Sequence, residues 1–126
     1  YIKQVTIEAE TMVSMARTMI LPAALAHQSL MADAVASTEA AGVEDADSRT
    51  ALQTFVGAVS RLRKATVALD KVAQAHADSP MKHAQQIKAK VIPAMEELRL
   101  VADELQLHVA DEFWPVPTYR ELLFLK

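Results

Sequence analysis

The chain has no cysteine, so it holds no disulfide scaffold, no thiolate metal site and no thiol nucleophile. Two glycines in 126 residues are too few for a turn-rich β protein and cannot build a glycine-rich phosphate loop. Aromatics make up 5% of the residues while apolar residues make up 52%; that apolar content is mostly Ala, Leu, Val and Met, the composition of packed helices. A formal net charge of −3 lacks the basic footprint of a nucleic-acid binder. No run of about 18 uninterrupted apolar residues crosses a bilayer, and the N-terminus has no charged segment leading into an apolar one, as a signal peptide would. The expectation is a cytoplasmic chain with neither nucleic acid nor membrane as partner. It opens at Tyr1, already inside a helical pattern and without a methionine, as a piece of a longer protein would.

What is present is periodic. Val5, Ala9, Met12, Ala16, Met19, Ala23, Ala26 and Leu30 alternate steps of four and three, the average 3.5-residue repeat of a coiled-coil-like seam. A second stripe, Val13, Ile20, Ala24, Met31 and Val35, widens that face. The spacing predicts a helix over about 2–41, kinked near Thr18 by Pro22 and ended by Gly42. The next helix, about 47–77, takes Asp47 or Ser48 as N-cap. Its seam is Leu52, Phe55, Val59, Leu62, Thr66, Leu69, Ala73 and His76. Ser79-Pro80 is a cap followed by proline at the first helical position. It opens a third helix, about 80–111, with Ala84, Ile87, Val91, Ala94, Leu98, Val101 and Leu105 inward and a bend at Pro93. The fold class is therefore all-α: an antiparallel up-down-up bundle of three long helices, two of them proline-kinked, in a single domain over 1–126. Folding about Ser79 sets Asp70 level with Lys88, and Arg61, Arg63 and Lys64 near Glu96 and Glu97.

Two apolar surfaces stand out against this regular background. Tyr1 to Glu10 overhangs the second helix by about ten residues, roughly 15 Å, and exposes Ile2, Val5 and Ile7 as a candidate interface. At the other end the tail 112–126 carries Phe113, Trp114, Tyr119, Leu122, Leu123 and Phe124, a sizeable apolar surface if undocked. Pro115 and Pro117 hold Trp114 and Val116 extended. Thr118 with Glu121 three residues on forms a capping box for a short fourth helix. The tail either folds back into a groove of the bundle or covers a neighbouring surface.

No pattern demands catalysis. Glu8 and Glu10 are two apart on a helix and diverge, and adjacent Glu96 and Glu97 do the same. His27, His76, His83 and His108 lack the glutamate three residues earlier that di-metal bundles use. Met12, Met15, Met19, Met31, Met81 and Met95 fall mostly at packing positions. Arg61, Arg63 and Lys64 have no interleaved aromatics to make a phosphate or nucleic-acid site. The reading is no catalytic, cofactor-binding or metal residue in this segment.

Two stretches carry a resemblance. Tyr1-Ile2-Lys3-Gln4-Val5-Thr6-Ile7-Glu8-Ala9-Glu10-Thr11-Met12, running on to Met19-Ile20-Leu21-Pro22-Ala23, resembles the start of the C-terminal helical region of type III glutamine synthetases. Val101-Ala102-Asp103-Glu104-Leu105, through Trp114-Pro115-Val116-Pro117-Thr118-Tyr119-Arg120-Glu121-Leu122-Leu123-Phe124, is similar to the segment that closes the same family. The Trp-Pro-x-Pro-Thr-Tyr run is the specific part; about 29–94 matches only as alanine-rich helix. The resemblance implies a parent enzyme that joins glutamate and ammonia with ATP and Mg²⁺ or Mn²⁺, in a dodecamer of two stacked hexamers. Its carboxylates and nucleotide loops would lie upstream, leaving this piece non-catalytic and structural. Its partners would be the catalytic domain of the same chain and neighbouring subunits of a homo-oligomer. The alternative is a free-standing helical interaction module, which would need a polar N-terminal end and an internally docked tail. A cofactor-binding bundle would need clusters of histidine or carboxylate that the spacing does not offer.

Overall fold

A computed structural model describes residues 1–115. Among them are three helices and no strand: α1, Ile2–Ala40, α2, Ala46–Ala73, and α3, residues 80–106. The proposed tail helix and its Thr118–Glu121 capping box lie outside the described residues.

Both proline interruptions take one form. Residues Ala16–Ile20 of α1 and Ile87–Val91 of α3 are π-helical, and each stretch ends just before Pro22 or Pro93. Proline has no N–H to return to the carbonyl four residues back, and its ring crowds that carbonyl. The residue before each proline reaches five residues back instead: Leu21 N–H to the Ala16 carbonyl, and Ile92 N–H to that of Ile87. Each π turn inserts one residue into the helical count.

That insertion moves the seam of α1. Up to Ala23 the expected positions are buried or half-buried, but Ala26 is exposed and Leu30 is 50% exposed. The second stripe, Ile20, Ala24, Met31 and Val35, stays inward as its spacing indicates and is joined by half-buried His27. The backbone took up one extra residue at the π turn, so beyond Ala23 the first stripe turns outward and the second alone carries the face. On α3 the same offset makes Met95 a core residue beside half-buried Ala94.

Helix ends follow local chemistry. Gly42, at φ +84°, occupies the left-handed conformation that a side chain disfavours. Its N–H bonds the Glu39 carbonyl at 3.0 Å, and Val43 N–H bonds that of Thr38 at 3.3 Å, a Schellman closure. The α2 cap is Asp45, not Asp47 or Ser48: its Oδ1 accepts the Ser48 N–H at 3.1 Å. Three residues separate cap and donor, the spacing at which an aspartate reaches back to a free amide. Ser79 caps α3 as expected, accepting the Lys82 N–H at 3.2 Å.

Two ends are shorter than the periodicity indicates. Helix α2 stops at Ala73, which leaves His76 exposed and off the seam. Helix α3 stops at Gln106 rather than near Asp111, because turns at 107–109 and 111–113 return Val109, Phe113 and Trp114 to the core. Full burial of such side chains is worth about 1.5–3 kcal/mol each, more than the few terminal helical bonds given up.

The core runs through all three helices, with Leu62, Leu69, Ile87 and Leu105 almost fully buried. Ion pairs reset the expected register. Asp70 meets Arg17 at 3.0 Å rather than standing by Lys88. Arg61 grips Glu104 with two bonds, 2.7 and 2.9 Å, two turns beyond Glu97. The six non-helical residues 74–79 cover roughly 20 Å when extended, so no tight reversal at Ser79 sets the pairing. The start of α3 is thereby carried alongside the start of α1: Ala9, Val13, Ile87 and Val91 share one core cluster. Helix α1 is, by length and composition alone, the one helix among the described residues apolar enough to cross a bilayer. Its Arg17 and Glu39 pair with α2, and its Ala9, Ala16 and Ala24 are buried in the bundle.

Candidate functional site

At the N-terminal end, Ile2 and Val5 are half-buried against the core cluster that includes Ile87. Two of the three apolar side chains of the expected overhang are therefore partly covered by the bundle itself. Ile7 faces outward at 52% exposure, with Tyr1 and Met81 also exposed near the starts of α1 and α3.

At the other end, Phe113 and Trp114 pack against the core. Tyr119, Leu122, Leu123 and Phe124 lie outside the described residues. Phe113 N–H bonds the Ala110 carbonyl at 2.9 Å and Trp114 N–H that of Asp111 at 3.1 Å, so a tight turn presents both aromatics inward. The Trp114 indole N–H is buried without a hydrogen-bond partner among the described residues.

The residue that fastens this segment is His27, which periodicity did not single out as inward-facing. Its Nδ1 accepts the Ala110 N–H at 3.2 Å, a contact between residues 83 apart in sequence. Its ring lies 5.0 Å from that of Phe55, tilted by 54°, and 6.4 Å from that of Phe113, edge-on at 71°. Burial, followed by the nearby His108, pushes the His27 imidazole below its ordinary value of 6.5, because neither surroundings nor neighbour welcomes a positive charge. Position 27 lies between Ala24 and Met31 on the second stripe, which alone stays inward beyond the π turn, and that continuation was the missed signal.

Beside His27 opens a cavity of ≈ 270 Å³. Met31, Phe55 and Ala58 form its apolar wall, with Thr54, Glu104 and His108 at its polar side. The Glu104 carboxyl sits below the usual range because its bond to Arg61 favours the charged form. Among the described residues no three His, Asp or Glu side chains gather as metal ligands would. Arg61 is engaged by Glu104.

Comparison with known proteins places this architecture. Residues 1–39 match the family described as the glutamine synthetase C-terminal domain, and the chain belongs to the C-terminal region of that family. More narrowly, it is the counterpart of the C-terminal helical part of type III members. It is 32% identical over its whole length to the type-3 glutamine synthetase of Dictyostelium discoideum. It is 30% identical, again over its whole length, to a glutamine synthetase of Bacteroides fragilis (strain YCH46). The chain spans 18% of the length of each of these relatives.

Proposed function

We propose that this chain is a non-catalytic, structural C-terminal domain of a glutamine synthetase, serving the assembly of a parent that ligates glutamate and ammonia. The observation that carries the reading is similarity along the whole chain to the C-terminal 18% of a type-3 glutamine synthetase. In this reading the ATP and the Mg²⁺ or Mn²⁺ of the parent bind outside this domain, in a cytoplasmic enzyme. The domain's partners are the catalytic region of its own chain and neighbouring subunits of a homo-oligomer.

The helices run up, down and up in this reading. Glu39 with Arg49 and Arg17 with Asp70 couple rising numbers on α1 to falling numbers on α2. Arg61 with Glu104 ties α2 to α3. The exposed Ile7, Tyr1 and Met81 offer the docking surface nearest the preceding chain. The test is the mass of the parent enzyme in solution, by light scattering, with and without this domain, alongside its synthetase rate. Smaller particles on removal are the expected result. Full-size particles with full activity would refute the assembly role.

A further inference from the structure

We propose that His27 is a pH-sensitive latch for segment 109–114: neutral, it holds the Ala110 N–H and seats Phe113 and Trp114 on the bundle, and protonated, it lets them go. The geometry is specific. Nδ1 can accept the Ala110 N–H at 3.2 Å only while it carries no proton, since both nitrogens of an imidazolium are donors. Protonation sets N–H against N–H at Ala110, in a segment held otherwise only by single turns, Val109 to Leu105, Phe113 to Ala110 and Trp114 to Asp111. The Phe113 edge contact and the packing of Trp114 lie three and four residues further along the same segment.

Among the described residues, little around the ring would compensate a charge. On α1 itself the next inward side chain is Met31. Helix α2 presents Ala51, Thr54, Phe55 and Ala58, none of them charged. Helix α3 contributes Glu104, whose two carboxylate oxygens are already held by Arg61. The following turn contributes His108, which disfavours charge on His27.

The direction of the effect follows from linkage. In the docked state the His27 imidazole titrates below its ordinary 6.5; released into water it titrates near that value. As pH falls through 6.5 the released state takes up a proton that the docked state refuses. Docking is therefore complete above this range and weakens below it, by up to about tenfold per pH unit. This latch lies within the chain and does not depend on what the parent enzyme is.

Trp114 is the single tryptophan, so its emission reports the segment directly. Between pH 7.5 and 5 we expect a reversible shift to longer wavelength while helical circular dichroism at 222 nm stays constant. In His27→Asn the amide oxygen stands where Nδ1 stood and accepts the Ala110 N–H at every pH, and the emission should stay short-wavelength throughout. In His108→Gln the docked ring tolerates charge better, so the transition should weaken or move to lower pH. In the unaltered chain, NMR should show the Ala110 amide and the His27 imidazole titrating with one midpoint. A flat wild-type profile, an undiminished transition in His27→Asn, or separate NMR midpoints would each overturn the latch.

Discussion

Inserting one alanine after Thr18 should unfold much of this domain, whereas deleting Thr18 together with Pro22→Ala should leave it nearly as stable as before. Each residue advances an α-helix by 100°, so the insertion turns residues 21–40 by that angle about the axis. Ala24, at 0% exposure, and Val35, at 7%, leave the core, and half-buried Met31 and His27 leave with them. Full burial of a Val or Met side chain is worth about 1.5–3 kcal/mol and a methyl about 0.8. The insertion thus costs about 3–5 kcal/mol, a large share of the 5–15 kcal/mol that holds a typical domain together. The deletion instead removes the extra residue and the proline that required it, restoring a plain α-helix with Ala24, Met31 and Val35 still in phase with Ala9 and Ala16. Thr18 is exposed and its side chain bonds only the Ser14 carbonyl, so the expected cost is within about 1 kcal/mol. Urea unfolding followed at 222 nm compares the two variants directly. Equal losses for both, or an unchanged midpoint for the insertion, would refute the claim that the π turn sets the phase of α1.

Other substitutions probe single features. Leu62, fully buried at the centre of the bundle, should lose about 2–5 kcal/mol on truncation to alanine, read from the urea midpoint. Gly42→Ala should cost about 1 kcal/mol by backbone conformation alone, since nothing lies within 4 Å of the added Cβ; thermal melting checks it. Ser79→Ala removes the α3 cap and should lose about 0.5–2 kcal/mol, against almost nothing for Ser79→Asp. The Asp45 carboxyl is held below its ordinary 3.8 by its bonds to Ser48. Its stabilising effect is therefore present above that value and lost as pH falls through the lowered one. Asp45→Asn should flatten the acid limb of the stability profile.

Much of this architecture was legible in the chain because its signals are local. Ser79-Pro80 announces a start and Gly42 a stop through backbone chemistry that needs no partner, and the α2 seam from Phe55 to Leu69 is buried as its spacing indicates. On α1 the second stripe stayed inward, but the first failed after Ala23 for a definite reason. Proline declares that the helix must be disturbed, but its identity does not say whether the disturbance bends the axis or adds a residue. The exchange of expected ion-pair partners has a similar origin, because the path of residues 74–79 fixes register and their side chains carry little information about it. His27 escaped notice because its role depends on that phase and on a segment 83 residues away. Half-burial of Ile2 and Val5 likewise depends on how the three helices end relative to one another.

The two π turns also bear on mispairing between copies. A long alanine-rich helix with an unbroken heptad rhythm can slide along its neighbour by a turn, or exchange with its equivalent in another molecule, at little cost. Here the rhythm breaks at Ala16–Ile20 in α1 and at Ile87–Val91 in α3. A helix slid by seven residues would match its neighbour on one side of the break and miss on the other. The two interruptions work as the wards of a key, admitting one alignment where a smooth shaft would turn in many.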